Sequence, residues 1–346
     1  MHSVAIDLFC GIGGLTKGLS LSGIPVKFGI DIDDTCRFAY EKNNNSRFLC
    51  YDIATLDSGY LKSLYPPNCI RILVGCAPCQ PFSKYTSRYR KNGYTDNKWM
   101  LLRSFSRLIS EVIPEIISME NVPQLAGRDI FVDFIAILDK LGYCIDWKIV
   151  NCPEYGVPQN RRRLVLLASR LGEIKLIPPL YDSKHYPTVR QAIGNLSVLQ
   201  NGEQDPNDLL HSACRLSPIN LKRIKQSIPG GTWRDWDKNL QLKCHKKSSG
   251  KTYPSVYGRM CWDKPSPTIT TQFYGYGNGR FGHPEQDRAL SLREGAILQS
   301  FPQDYIFVDK THPSTRREIG MHIGNAVPVE LGRAIGLSIQ SHICRR

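Results

Sequence analysis

The sequence predicts an α/β fold built on a Rossmann-like sheet, and three observations predict it. Seven short apolar runs have the length and character of buried strands. Helical patterns with one apolar face separate several of these runs. The first run leads directly into a glycine-rich turn and a helix, which together form the opening unit of a nucleotide-binding site. The strands are expected at residues 4–9, 26–30, 48–50, 70–74, 115–119, 143–150 and 164–168, and the main helices at 15–21, 99–113, 129–141, 292–298 and 328–340.

Composition indicates the compartment and the class of partner. The 346 residues carry a formal net charge of +14, which favours a polyanionic partner, and nucleic acid above all. No apolar run approaches the roughly 18 residues of a membrane-spanning helix, and the start lacks the layout of a signal peptide. A cytoplasmic protein is therefore expected. Its twelve cysteines are expected to be reduced thiols, and no second C-x-x-C pair supports a structural zinc site, so no metal is expected.

The first two strands end in residues suited to a nucleoside. The turn Gly11-Ile12-Gly13-Gly14 departs from the dinucleotide fingerprint, because Thr16 occupies the position of its third glycine. A pyrophosphate cradle is therefore disfavoured, whereas close approach of an uncharged nucleoside stays open. Asp31, at the end of the second strand, is placed to accept hydrogen bonds from ribose hydroxyls. Its neighbours Asp33 and Asp34 are interpreted as helix caps.

A cysteine between two prolines follows the fourth strand. Cys79 lies between Pro78 and Pro81, at the edge where open α/β sheets bind ligands. Prolines stiffen the loop, which suits a nucleophile that must be aimed. Taken alone, Cys79 also fits a small buried hydrophobe, and its C-x-x-C spacing with Cys76 fits a redox pair. The basic stretch that follows, residues 84–98, is a candidate lid.

Charged residues at the next strand ends are expected to face the same crevice. Glu120 follows the fifth strand, and the run Arg161-Arg162-Arg163 precedes the seventh. At least one of these arginines is expected to point into the active edge of the sheet. Asp52, after the third strand, suits an adenine amino group.

From about residue 188 the sequence becomes irregular and basic. Between residues 200 and 264, twelve Lys or Arg face six Asp or Glu, a net charge of +6. Trp233, Trp236, Tyr253 and Tyr257 interleave with the basic residues. This mixture suits loops that contact phosphates and base edges, or equally a small basic domain with a minor core of its own.

Taken together, these stretches resemble the C5-cytosine DNA methyltransferases over essentially the whole chain, in the usual order of that family's motifs. The glycine turn is similar to the first cofactor motif and Pro78-Cys79-Gln80 to the nucleophile motif. Glu120-Asn121-Val122 is similar to the acid motif and the run 159–163 to the arginine motif. The segments 190–193 and 324–327 resemble the support of the recognition domain and the last cofactor motif. Two departures are visible: the strand-two acid is Asp31 where many members carry Glu, and Asn160 and Arg162 fill variable positions of the arginine motif.

The resemblance implies a domain plan and a set of site residues. The main catalytic and cofactor-binding domain would span 1–189, a small irregular target-recognition domain 190–266, and a C-terminal segment 267–346 would return to the first. The implied catalytic residues are Cys79, Glu120, Arg161 and Arg163. The implied contacts to S-adenosylmethionine, released as S-adenosylhomocysteine, are Phe9, Gly11, Gly13, Gly14, Leu15, Asp31, Ile32, Asp52, Ile53, Pro78, Asn325, Ala326 and Val327. The implied DNA contacts are Gln80, Ser83, Lys84, Arg234, Lys243, Lys246, Lys247 and Lys251.

The implied reaction is methylation of a cytosine flipped out of duplex DNA. Cys79 would add to C6, Glu120 would hold the N3 edge, and Arg163 would contact the ring carbonyl oxygen. A cognate restriction endonuclease is a candidate partner, and base flipping by this fold requires only a monomer. The alternatives are a tRNA-methylating relative, whose Cys-Phe-Thr signature is missing from this chain, and a non-catalytic DNA- or cofactor-binding relative. A nicotinamide dehydrogenase fails on the missing third glycine.

Overall fold

A mixed sheet of seven strands organises the part of the chain that the computed structural model describes, residues 2–78, 100–309 and 314–345. The strand order is β3-β2-β1-β4-β5-β7-β6. All seven expected strands are present, with bounds within about three residues of those expected. They are β1 (Ser3–Leu8), β2 (Val26–Asp31), β3 (Arg47–Cys50), β4 (Ile70–Gly75), β5 (Ile116–Asn121), β6 (Cys144–Asn151) and β7 (Arg162–Ser169).

Strand direction decides which residues meet at one edge. The first five strands are parallel to one another, whereas β7 lies antiparallel between β5 and β6. The beginning of β7 therefore lies at the carboxyl edge of β5, where Asn121 pairs with Leu164. This reversal brings Arg161 and Arg163 beside Glu120.

The helices cover the two faces of the sheet, and those predicted are confirmed. Four helices of the described chain were not predicted from the sequence, namely α3, α6, α7 and α9. The bounds are α1 (Gly14–Leu21), α2 (Arg37–Asn43), α3 (Ser58–Ser63), α4 (Met100–Val112), α5 (Asp129–Lys140), α6 (Val189–Ile193), α7 (Pro218–Gln226), α8 (Leu292–Leu298), α9 (Arg316–Asn325) and α10 (Val329–Cys344). As expected, Asp33 caps the short 3₁₀ turn before α2, because its side chain accepts from Thr35 N.

The irregular basic stretch contributes to a minor core that it shares with Tyr276 and Ala289 of the C-terminal segment. Trp233 and Trp236 are each only 4 % exposed and pack with Ile224, Leu240 and Tyr276. Both tryptophans are therefore core residues, and the division of the chain into domains stays a prediction. Lys238, Lys243, Lys246 and Lys247 are exposed around them, whereas Arg259 is buried and Arg223 is half-buried over the Trp236 ring.

None of the helices in the described ranges combines the length and the apolar character that crossing a membrane requires.

Glycines let the first and last helices pack backbone against backbone. A Cβ added at Gly18 of α1 would lie 2.4 Å from Val329 O and 2.5 Å from Arg333 N, both backbone atoms of α10. A Cβ at Gly14 would lie 2.2 Å from Val327 O. Because backbone cannot swing aside as a side chain does, this contact fixes the C-terminal segment against the first turn of the sheet.

We expect Gly18→Ala to lower the free energy of unfolding by about 1–3 kcal/mol, through overpacking against α10. Helix propensity alone would raise the free energy of unfolding, because Ala is favoured over Gly inside a helix by roughly 1 kcal/mol. A decrease therefore requires that the steric cost exceed that gain. Urea unfolding followed by circular dichroism measures the change. Gly127→Ala is the matched control, since a Cβ there meets no atom within 4 Å. Equal midpoints for the two variants would contradict the close contact.

Candidate active site

A cavity of about 1170 Å³ opens at the carboxyl edge of the sheet. The ends of β1, β2, β4 and β5 form one side of it, and the start of β7 and the C-terminal segment form the other. Its lining includes most of the predicted catalytic and cofactor-binding residues. From that set it contains Phe9, Gly11, Leu15, Asp31, Pro78, Glu120, Arg161, Arg163, Asn325, Ala326 and Val327.

The first turn and the strand-two acid are joined directly. Gly11 N donates to Asp31 Oδ2 at 2.9 Å, and Asp33 N donates to Asp31 Oδ1 at 3.0 Å. Burial raises the pKa of the Asp31 carboxyl, although these two backbone donors oppose the rise. A Cβ at Gly11 would meet no atom within 4 Å, so the turn borders open space in the cavity.

Glu120 lies between a thiol and a guanidinium. Cys76 Sγ donates to Glu120 Oε2 at 2.7 Å, and Arg163 Nε lies 2.7 Å from Glu120 Oε1. The Arg163 contact is an ion pair without hydrogen-bond alignment, so Oε1, although buried, accepts no hydrogen bond from the described residues. Glu120 is 2 % exposed, and a buried carboxylate with an unused acceptor is poised to bind a polar group that enters the cavity.

The thiol of Cys76 is a donor and not a nucleophile. Burial raises its pKa well above the usual range, and the charge of Glu120 raises it further. The thiol therefore keeps its proton at neutral pH and can hold Oε2 in place. Asn121 Nδ2 donates to Ala77 O at 3.1 Å, which ties the loop after β4 to the end of β5.

Two of the three consecutive arginines turn inward. Arg161 is 5 % exposed and donates through Nη1 to Ile269 O at 3.2 Å, whereas Arg162 is exposed. Burial lowers the pKa of Arg161 to about 9, and the neighbouring Arg163 charge contributes to the decrease. Arg161 still carries its charge at neutral pH. Gln159 is fully buried and accepts from Ile269 N at 2.9 Å, so it joins the arginine run to the C-terminal segment.

A buried acid lies behind the first turn. Asp7 is 1 % exposed and accepts from Thr16 Oγ1 at 2.7 Å. Burial raises the pKa of Asp7 to about 7, and the charge of Asp31 adds to the rise, whereas the Thr16 hydroxyl opposes it. Thr16 also lies 3.1 Å from Tyr40 Oη. Thr16, which occupies the position of the third glycine of the dinucleotide fingerprint, thus donates a hydrogen bond to the buried Asp7 carboxyl beneath the turn.

Several predicted cofactor contacts lie away from the cavity lining. Ile53 is 2 % exposed in the core, Asp52 accepts from Ala54 N at 2.9 Å, and Ile32 is 65 % exposed beside Asp31. Gly13 and Gly14 form the start of α1 behind the lining. These five assignments stay predictions.

The predicted nucleophile and part of the predicted DNA contact set lie outside the described residues. They are Cys79, Gln80, Ser83, Lys84 and the candidate lid 84–98. Arg234, Lys243, Lys246 and Lys247 are exposed on the basic stretch, where Arg234 lies over the Trp233 ring at 5.4 Å. Lys251 lies in a short 3₁₀ turn, and its side chain is not among those described.

Some residues that line the cavity come from distant segments and were not predicted from the sequence. Cys76, Asp33, His322 and the run Thr268–Thr271 line the cavity as well. Cys76 was noted only for its spacing to Cys79, and its adjacency to the nucleophile motif is the signal that points to it. The threonine run follows the Pro-Ser-Pro step where regular patterning resumes, but no pattern in the sequence links it to the cavity.

Comparison with known proteins places this geometry in a family. A model of the family described as C-5 cytosine-specific DNA methylase matches residues 4–341. The chain is 53 % identical over 343 residues to the Type II methylase M.HgiDII of Herpetosiphon aurantiacus, covering 98 % of this chain and 96 % of that one. It is 30 % identical over 346 residues to the Type II methyltransferase M.Eco47II of Escherichia coli, covering 96 % and 78 %.

Solved structures share the fold across the whole chain. One, described as a DNA modification methyltransferase encoded within an E. coli prophage, superposes with a TM-score of 0.74 at 20 % identity over 99 % of both chains. The Entamoeba histolytica methyltransferase EhMeth gives 0.67 at 17 % identity, again over 99 % of both chains. At these identities the likeness shows the fold alone, and it confirms the Rossmann-like prediction.

We expect Asp7→Asn to gain stability relative to the parent protein as the pH rises. The folded-state pKa of Asp7, about 7, lies above its ordinary value of 3.8. Between these values the folded protein holds a proton that the unfolded chain has lost, so ionisation of Asp7 costs stability as the pH rises through this window. At roughly 1.4 kcal/mol per pKa unit, the full cost approaches about 4 kcal/mol.

Melting temperatures of the ligand-free proteins at pH 5 and pH 8 measure this effect. Asp133→Asn is the control, because it removes the same charge from an exposed position on α5. A constant difference between Asp7→Asn and the parent across this range would show that Asp7 is ionised throughout.

Proposed function

The chain belongs to the C-5 cytosine-specific DNA methylase family and is a DNA cytosine-5 methyltransferase, and we propose how its residues divide the work. The cavity at the carboxyl edge of the sheet would hold S-adenosylmethionine on the side of the first turn. A flipped cytosine would enter on the side of Glu120 and Arg163. The observation that carries this division is the buried Glu120 carboxylate, which has an unused Oε1 beside Arg163.

The residues around the first turn fit a nucleoside cofactor. Asp31 uses each carboxylate oxygen for one backbone donor, and each oxygen keeps a further lone pair for a ribose hydroxyl. Gly11 leaves open space where a side chain would intrude. The exposed face of Ile32 suits a purine ring. When bound, S-adenosylmethionine supplies an electrophilic methyl group on a sulfonium centre.

Cys79 is the proposed nucleophile. Cytosine C5 is too weakly nucleophilic to take a methyl group unaided, and addition of a thiolate at C6 converts C5 into an enamine-like carbon. A free cysteine titrates near 8.5, so a nearby cation must favour the thiolate. Arg161 and Arg163 are the proposed cations. Loss of the C5 proton after methyl transfer then expels Cys79 by elimination.

Glu120 and Arg163 are proposed to stabilise the adduct. Glu120 Oε1 would bind the N3 edge and hold a proton there, while Cys76 keeps the other carboxylate oxygen oriented. Arg163 would carry part of the negative charge that develops on the ring carbonyl oxygen. Preorganised charges in a buried site cost no reorganisation at the moment of reaction, which is why both groups are held before substrate enters.

The basic stretch 190–266 is proposed to recognise the DNA sequence. Its tryptophans form the minor core, so exposed lysines and Arg234 are left to meet phosphates and base edges. The target base must leave the stack to reach the cavity. M.HgiDII and M.Eco47II are both named as Type II enzymes. That naming supports a restriction–modification role for this chain, with a cognate endonuclease as a partner. A monomer acting on DNA in the cytoplasm is proposed as well.

We expect transfer of labelled methyl from S-adenosylmethionine to unmethylated duplex DNA, as 5-methylcytosine at one short recurring sequence. Cys79→Ser should abolish this transfer and leave cofactor and DNA binding within about twofold, because the thiolate acts only in the chemical step. Base-resolution mapping of the product gives the site. Cys144→Ser, which alters an exposed cysteine on β6, is the matched control and should keep full activity.

Normal turnover by Cys79→Ser would remove Cys79 from the mechanism. tRNA is assayed in parallel, and label only in tRNA would move the substrate to RNA while keeping the chemistry. Cofactor binding without label in either substrate would favour a non-catalytic relative.

We expect replacement of Lys246 and Lys247 by Ala to weaken DNA binding and to flatten its salt dependence. Each lysine that contacts a phosphate contributes about 0.9 to the slope of log K against log salt concentration, so the slope should fall by about one to two. Fluorescence anisotropy at several salt concentrations measures it. Replacement of the exposed Lys62 and Lys140, on α3 and α5, removes the same charge elsewhere. Equal slopes for the two double variants would exclude Lys246 and Lys247 from the interface.

A further inference from the structure

Three metal-ligating side chains meet on the cavity wall, beside the residues already assigned. Asp33 and Cys36 come from the segment after β2, and His322 comes from α9, nearly 290 residues along the chain. We propose that Asp33, Cys36 and His322 form a binding site for a soft divalent cation, with Zn²⁺ as the favoured ion. No role in methyl transfer has been assigned to these three residues above.

The spacing of the donor atoms suits a tetrahedral ion. One ligand atom from each residue lies within 4.8 Å of the others, and His322 Nε2 lies 3.1 Å from Asp33 Oδ2. Tetrahedral zinc with bonds of about 2.0–2.3 Å places its ligand atoms roughly 3.3–3.6 Å apart. The carboxylate and imidazole are therefore already at a coordinating separation, and the thiol needs a movement of about 1 Å.

The surrounding contacts orient the carboxylate for this role. Asp33 Oδ1 accepts from Thr35 N at 3.2 Å and from the Thr35 hydroxyl, which leaves Oδ2 directed to His322. Asp33 N is in turn held by Asp31 Oδ1. Hydrogen bonds that fix a ligating oxygen in this way are the outer-shell support that metal sites generally show.

The chemistry of the donor set selects the ion. A thiolate, an imidazole and a carboxylate together favour zinc over magnesium or calcium, which take oxygen ligands. Binding would form a metal–sulfur bond and release the Cys36 proton to solvent, so uptake of the ion is accompanied by loss of one proton. No change of oxidation state is involved.

One side of the proposed metal site is buried, and the other side is open to solvent. Cys36 is 3 % exposed and anchors the site in the core, whereas the Asp33 side chain is 38 % exposed. All three residues line the cavity that also contains Gly11 and Asp31. A fourth coordination position would therefore face the cavity and take water.

The position of the site implies competition with the cofactor. Asp33 is two residues from Asp31, and His322 is three residues from Asn325, so a bound ion would lie on the wall of the proposed cofactor pocket. It would also cross-link α9 to the segment after β2. The competition rests on the proposed function, whereas the metal site itself rests only on the three side chains.

Titration of the metal-free protein with Co²⁺ tests the site, because cobalt replaces zinc and a cobalt–thiolate bond gives a charge-transfer absorption band. We expect one equivalent of Co²⁺ to produce the band and Zn²⁺ to displace it. Cys36→Ser should remove the band, and His322→Gln should weaken binding by at least about 10-fold. Circular dichroism and melting temperature check that each variant is folded.

Matched controls separate this site from other thiols and from other His–Asp pairs. Cys50→Ser changes an exposed cysteine at the end of β3, and His185→Gln breaks an exposed pair in which His185 Nδ1 lies 2.8 Å from Asp182 Oδ1. Both should bind Co²⁺ as the parent does. A band that survives in Cys36→Ser, or that disappears only in Cys79→Ser, overturns the proposal, as does the absence of any band in the folded parent.

A second readout distinguishes failure of the site from failure of the proposed function. Zn²⁺ should raise the apparent Kd for S-adenosylmethionine in the parent and leave it unchanged in Cys36→Ser. A cobalt band in a protein that transfers no methyl group would leave the metal site intact and refute the catalytic assignment. Methyl transfer by a protein that shows no cobalt band would leave the catalytic assignment intact and refute the metal site.

Discussion

The antiparallel course of β7 between β5 and β6 is the constraint on which the active edge depends. A parallel strand in that position would begin at the opposite edge of the sheet and would carry Arg161 and Arg163 away from Glu120. With the observed direction, the residues that start β7 and those that end β5 lie side by side, and the ion pair between Arg163 and Glu120 closes across them at 2.7 Å. Gln159 then joins the same corner to the C-terminal segment through Ile269 N. One reversal of direction thus brings an acid, two cations and the chain's last segment to a single cavity.

Buried charge at this edge is tolerated because each group has a partner that partly compensates its desolvation. Asp7 has Thr16, Asp31 has two backbone donors, and Glu120 has a thiol and a guanidinium. The compensation is incomplete, because burial still raises the pKa of Asp7 to about 7. Within the described chain, Glu120 Oε1 accepts no hydrogen bond and Arg161 Nε donates none. Unused polar atoms are costly in a core and useful in a binding site, because substrate can satisfy them. That two such atoms, on Glu120 and Arg161, line one cavity is an argument for function that does not depend on family resemblance.

Much of this arrangement could be predicted from the sequence, because it depends on local signals. Strand-end acids such as Asp31 and Glu120 follow apolar runs that are unambiguous, and parallel strands bring their carboxyl ends together. What could not be predicted depends on contacts between distant segments. The burial of Trp233 and Trp236 follows from packing with Tyr276 and Ala289, which no periodicity reveals. His322 meets Asp33 from a helix nearly 290 residues further along the chain, and no local pattern links the two. The role of Thr16 was equally hidden, since its hydroxyl serves an acid nine residues earlier that the sequence did not mark.

The environment of Cys76 bears on the chemistry proposed for the C-x-x-C step. Cys76 is held against a carboxylate, so its thiolate is disfavoured both by burial and by like charge. The same carboxylate is paired with Arg163 on its other oxygen, and Arg161 lies nearby with its own charge intact. A thiol on the far side of these guanidiniums would meet the opposite field, which favours the thiolate. A redox pair requires both thiols to be accessible to each other and to an exchange partner, whereas Cys76 is committed to Glu120. The contacts of Cys76 therefore argue against a redox pair and agree with the proposal that Cys79 acts as the nucleophile.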